Sequence, residues 1–152
     1  MTLFGGNNLH IAVLSDYHQG DKKKVRNLLE SDLLKKGHIF TANDFAEQDE
    51  ADIEDIIGRT NYISLINECY GLKGKNKLPE KKPNKSPIRV VQEVEDHFRL
   101  LTDGTPMFDH FTPSAFLTEN TNTIKSKMPD LESALAKFEK LFTELNELLV
   151  DE

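Results

Sequence analysis

His10-Ile-Ala-Val-Leu-Ser-Asp-Tyr-His-Gln-Gly20, followed by Asp21-Lys-Lys-Lys24, is the stretch that decides how this chain folds. Its apolar run, Ile11 to Leu14, ends abruptly at Ser15, Asp16 and His18, and a glycine and a helix-like segment follow. A buried parallel strand delivers polar groups in this manner to the carboxyl edge of a sheet, where open α/β folds place their ligands. In extended backbone Asp16 and His18 flank Tyr17 and so point the same way. Two such groups on one edge suit a divalent cation. The plainer role for Asp16 is to cap the next helix, and the strand pattern leaves both roles open.

Outward from this strand, Val25, Leu28, Leu29 and Leu33 recur at helical spacing, so the spacing predicts a helix over 21–36 with Gly37 as its stop. His38-Ile-Phe-Thr41 reads as a second short strand. Strand, helix, glycine and strand in this order make a right-handed βαβ crossover the natural assignment. Seven acids lie between Asp44 and Asp55, with Ile53, Ile56 and Ile57 on one face of a short helix. Asn61 to Leu72 is a further helix carrying Tyr62, Ile63, Leu65, Ile66, Cys69 and Tyr70. Lysine, glycine, asparagine and proline dominate 73–87, a linker or loop. Ile88 to Leu101 is helical with Ile88, Val91, Val94, Phe98 and Leu101 inward. Thr112-Pro-Ser opens another helix, with threonine as its cap. The last helix spans Asp130 to Val150. Its stripe of Leu131, Leu135, Phe138, Leu141, Phe142, Leu145, Leu148 and Leu149 belongs to a core or a partner interface.

The 152 residues fit one domain by length. No apolar run approaches the roughly 20 residues of a membrane span, and the start has no basic or apolar signal region. With one cysteine, Cys69, intramolecular disulfides and a four-cysteine zinc site are excluded. The cytoplasm is therefore the expected compartment, with no membrane partner. Net charge is −7, yet between Lys73 and Arg89 six lysines and one arginine face a single acid, Glu80, a local +6. The remainder holds 12 basic and 25 acidic residues, a charge of −13, which argues against nonspecific coating of nucleic acid. The basic strip is either a solvated loop or a phosphate contact. Cys69 sits in an apolar helical pattern and reads as a small core residue. No serine–histidine arrangement or cysteine nucleophile is evident.

Four motifs together resemble one family. Leu14-Ser-Asp-Tyr-His-Gln-Gly20, Ile39-Phe-Thr-Ala-Asn-Asp-Phe-Ala46, Ala51-Asp-Ile-Glu-Asp-Ile56 and Tyr62-Ile-Ser-Leu-Ile-Asn-Glu-Cys-Tyr70 look like the Toprim-bearing carboxyl-terminal part of OLD-family ATP-dependent endonucleases. Phe108-Asp-His-Phe-Thr-Pro-Ser-Ala-Phe-Leu117 and Lys137-Phe-Glu-Lys-Leu-Phe-Thr-Glu-Leu-Asn146 are similar to the helical end of such proteins. The resemblance implies an ABC-type ATPase joined to a nuclease that uses Mg²⁺ or Mn²⁺ to polarise phosphate and activate water. Asp16 would match the first acid of an Asp-x-Asp element, with His18 in place of the second. Imidazole is a poor Mg²⁺ ligand, which puts the metal's identity in question. Glu54, with Asp52 or Asp55, would match the later acidic element. Lys85, with Lys82 next, would steady the scissile phosphate. His110 reads as a structural histidine.

Two expected features are missing from these residues: a strand bearing a glutamate ahead of Asp16, and a Gly-x-x-x-x-Gly-Lys-Ser/Thr loop. ATP would thus belong to an amino-terminal part not contained here. The expected architecture is α/β, a partial Toprim-like βαβ unit over 1–72, a basic linker over 73–87 and a mainly α-helical region over 88–152. The expected function is the carboxyl-terminal fragment of a metal-dependent nuclease, weakly active or inactive alone, with nucleic acid and the amino-terminal ATPase/Toprim portion as partners. A homo-oligomer is left open. The alternative is a noncatalytic helical interaction domain or remnant.

Overall fold

Val13–Ser15 (β1) and Ile39–Thr41 (β2) pair in parallel, with Val13 opposite Ile39, Leu14 opposite Phe40 and Ser15 opposite Thr41. This is a computed structural model, and it describes residues 11–18, 37–84, 88–101 and 106–148, together with Gly20, Lys23, Arg26, Asn27 and Gly104. The helix expected over 21–36 lies largely outside the described residues; Lys23, Arg26 and Asn27 are helical. The parallel pairing agrees with the two strands read from the sequence. His38 extends it, since the Val13 amide donates to the His38 carbonyl at 2.8 Å and His38 Nδ1 lies 2.8 Å from the Ile11 carbonyl oxygen.

Among the described residues seven α-helices follow: α1 (Ala42–Ala46), α2 (Ile53–Ile56), α3 (Arg59–Cys69), α4 (Val90–Leu100), α5 (Phe111–Glu119), α6 (Thr121–Ile124) and α7 (Leu131–Glu147). The architecture is an α/β mixture, mainly helical, with one small parallel sheet among the described residues. No helix among them is long and apolar enough to cross a membrane. Gly58, with φ of 86°, makes the sharp turn from α2 into α3, a backbone conformation that side chains with a Cβ rarely adopt.

Two apolar clusters hold these elements. The larger joins Tyr62, Ile63, Leu65 and Ile66 of α3 to Val90, Val91 and Val94 of α4, with Leu72, Leu78 and Ile124. The smaller packs Phe40, Ala42, Phe45, Ala46, Ala51 and Ile56 under Leu141 of α7. The helical spacing of α3 and α4 therefore identified core faces, with local exceptions. Ile88 precedes α4 and is exposed, whereas Val90 is buried. Ile53 is also exposed, because the first turn of α2 turns that position outward while Ile56 goes in.

The α7 stripe divides in two. Leu141 is buried, and Phe138, Leu145 and Leu148 pack beside it, but Leu135 and Phe142 are each 58% exposed. One helix seated on a small cluster can bury only a narrow arc, and the stripe exceeds it; its last member, Leu149, lies outside the described residues. The cap of α5 also differs from the threonine expected. Asp109 accepts the amides of Phe111 (2.9 Å) and Thr112 (2.8 Å), and the Thr112 hydroxyl at 2.6 Å. These bonds hold the Asp109 carboxyl below the usual carboxylate range.

The basic stretch after α3 is anchored where it is described. Leu78 is buried, and the Asn67 side chain treats its peptide group like a neighbouring strand. Asn67 Oδ1 accepts the Leu78 amide at 2.8 Å, and Asn67 Nδ2 donates to the Leu78 carbonyl at 3.1 Å. Arg59 grips Glu93 with two nitrogens (2.8 and 2.6 Å) and donates to the carbonyls of Pro79 and Glu80. Replacing Asn67 with Leu would leave both Leu78 backbone groups without partners in an apolar site. Urea unfolding should show a loss of about 2–3 kcal/mol for Asn67→Leu, against no more than about 0.5 kcal/mol for the exposed Ser126→Ala.

Candidate functional site at the end of the first strand

The backbone leaving β1 runs straight into the acidic segment. Tyr17 and Ala51 exchange amide–carbonyl bonds of 2.8 and 3.0 Å, which pins the strand's end beside the start of α2. Asp16 Oδ1 then accepts the Ile53 amide at 2.9 Å, across 37 residues of sequence. This is a helix-start contact made to α2; the helix that Asp16 is expected to cap lies largely outside the described residues. A carboxylate at the amino end of a helix satisfies an otherwise orphan amide.

His18 comes from the same strand end and meets the buried Asp52. His18 Nε2 lies 2.9 Å from Asp52 Oδ1. Both groups also face Arg89, whose Nη1 lies 3.0 Å from Asp52 Oδ1, 3.1 Å from Asp52 Oδ2 and 3.0 Å from His18 Nε2. One ring nitrogen can donate to Asp52 or accept from Arg89, but not both, so the position of its proton decides which bond forms.

Asp55 is buried as deeply as Asp52. Its Oδ2 accepts the Asp52 amide and its Oδ1 the Val90 amide, both at 2.9 Å, which fastens the start of α4 to α2. Burial raises the Asp55 carboxyl above its ordinary 3.8, opposed by those two amides and Gln48 and reinforced by the Asp52 charge. Glu54 turns another way. Its Oε1 lies 3.3 Å from His110 Nδ1, and the other ring nitrogen of His110 lies 3.7 Å from Glu95. Burial, with the Asp109 charge second, pushes the half-buried Cys69 thiol up, so it is not an activated nucleophile.

Asp16, His18 and Asp52 are thus brought together, and Glu54 follows the residue whose amide Asp16 holds. Among the described residues no contact joins the carboxylates of Asp16 and Glu54. Lys85 lies outside the described residues, and Lys82 is exposed. The residue that sequence reasoning passed over is Arg89. Its only signal was its place as the last cation of the basic strip, just ahead of an apolar helical run.

The donor set does not fit a divalent ion as it stands. Among the described residues no group of three or more His, Cys, Asp or Glu side chains could hold a metal. Asp16 is committed to a backbone amide, and Asp52 and His18 to a guanidinium. Comparison of the chain with protein-family models, curated proteins and solved structures gave no match.

Asp55 makes a sign-specific prediction. Between 3.8 and its raised value the folded chain holds a proton that the unfolded chain has released. Its contribution to stability is therefore full below 3.8 and is lost as pH rises through the folded value. Asp55→Asn cannot ionise, so the stability difference should move in the variant's favour as pH rises from about 3.5 to 6. Urea unfolding of both proteins across that range measures it, and a constant difference would count against the assignment.

Proposed function

We propose that this chain is the carboxyl-terminal part of a metal-dependent Toprim nuclease of the OLD-like ATPase/endonuclease type, weakly active or inactive alone. Three things support the reading: the order of the family-like motifs, the parallel pairing of β1 with β2, and an acid at the carboxyl end of β1. The observation that carries it is the bond from Asp16 to the Ile53 amide, which draws the acidic helix to the strand's end. In this reading Asp16, His18, Asp52 and Glu54 belong to the Mg²⁺ or Mn²⁺ side of the site, and Lys85 to the phosphate. The amino-terminal portion would bring the ATPase and the rest of the Toprim unit, nucleic acid would be the substrate, and the compartment would be the cytoplasm.

A second reading, a noncatalytic interaction domain or remnant, draws on a different observation. Arg89 already neutralises Asp52, and α7 leaves Leu135 and Phe142 exposed.

Calorimetry with Mn²⁺ separates the two. The nuclease reading expects weak binding by the chain, reduced at least about tenfold, or ~1.4 kcal/mol, in Asp16→Ala. Identical titrations would remove the metal role of Asp16 and leave the interaction domain. Vigorous plasmid nicking by the purified chain, lost in Asp16→Ala, would instead show a complete site and overturn the half-site.

A further inference from the structure

We infer that the Arg89 guanidinium is a built-in counter-ion, seated where a divalent cation would sit between Asp52 and His18, and that it keeps such cations out. The inference rests on contact geometry alone and stands whether or not the nuclease reading does.

A single nitrogen, Arg89 Nη1, lies 3.0 and 3.1 Å from the two oxygens of Asp52 and 3.0 Å from His18 Nε2. It straddles the carboxylate as a bidentate cation would, and it carries two hydrogens, enough for Asp52 and, when His18 Nε2 carries no proton, for the imidazole as well. Asp52 Oδ1 and His18 Nε2 are themselves 2.9 Å apart. Ligands at right angles on metal bonds of about 2.1 Å are separated by about 3 Å, so this spacing suits two donors turned to one cation. The donor-to-nitrogen distances are those of hydrogen bonds rather than of metal bonds. A metal would therefore have to displace the guanidinium and draw the donors inward.

Arg89 is also poorly placed to leave. It occupies the residue before α4, and the amide of the next residue, Val90, is held by buried Asp55 at 2.9 Å. Its side chain is 24% exposed, and that of Asp52 7%. Arginine stays charged at any working pH and is less strongly hydrated than lysine, which suits a permanent internal cation.

The test is Mn²⁺ calorimetry on the whole chain, comparing wild type, Arg89→Gln and the double variant Arg89→Gln/Asp52→Asn, with circular dichroism as the check on folding. Arg89→Gln should bind Mn²⁺ at least tenfold more tightly than wild type, and Asp52→Asn should remove the gain. Equal titrations of wild type and Arg89→Gln, whether both bind or neither does, would overturn the inference, as would a gain that survives Asp52→Asn. If Arg89→Gln fails to fold, Arg89→Met takes its place. Methionine keeps an unbranched aliphatic stem but carries no charge, so binding at least tenfold tighter than wild type is again expected and an unchanged affinity overturns the inference. An unaltered titration in Asp16→Ala would count only against the nuclease reading.

Discussion

The structure hangs on the carboxylate of Asp55. One of its oxygens holds the amide that starts α2 and the other the amide that starts α4, so a single buried side chain sets the distance between the two helices. Hydrogen bonds to a charged acceptor are among the stronger ones, typically about 1.5–3 kcal/mol each. Here they work against burial, which raises the Asp55 carboxyl above its ordinary range. The two bonds fix the orientation of α2 and α4 towards each other. Around Asp55 the other acids of the segment each take a separate task. Asp52 meets Arg89, Asp16 closes the first amide of α2 from the side of the strand, and Glu54 reaches towards α5.

This division of labour explains what the sequence could and could not disclose. Periodicity is a one-body signal: each apolar residue reports its own preference for the interior, and α3 and α4 show it in Ile63, Ile66, Val91 and Val94. The two strands were legible for the same reason, since a short apolar run closed by polar residues needs no knowledge of its partner. Arg89, Asn67 and Asn61 are different. Arg89 meets residues 37 and 71 positions away, Asn67 one 11 away, and Asn61 one 69 away. A charged or amide side chain inside an apolar pattern looks like an interruption until the group it satisfies is known. Asn61, which binds both the amide and the carbonyl of Asp130, sets where α7 begins.

The basic strip shows the same limit from the other direction. Its composition reads as loop, and composition gives no sign that Asn67 and Arg59 hold the described part of its backbone in place. Peptide groups buried under a core need partners, and with no neighbouring strand the side chains of α3 take that role. The described lysines of the strip stay exposed while the backbone at Leu78, Pro79 and Glu80 is held. Arg89 ends the strip, and among its described residues it is the one whose head group turns inward to a buried acid.

A carboxylate that organises the backbone and one that binds a metal draw on the same lone pairs. At this site the structural claims are already substantial: Asp55 holds two backbone amides, Asp16 holds the Ile53 amide, and Asp52 faces a cation of the protein's own. Chemistry at the end of β1 would therefore require an exchange of partners rather than the filling of a vacant socket. The exchange is least costly at Asp52 and His18, because they already face a positive charge and a metal would substitute one cation for another. It is most costly at Asp55, where releasing either oxygen would leave a buried amide without an acceptor. A cation taken up between Asp52 and His18 would first have to displace Arg89.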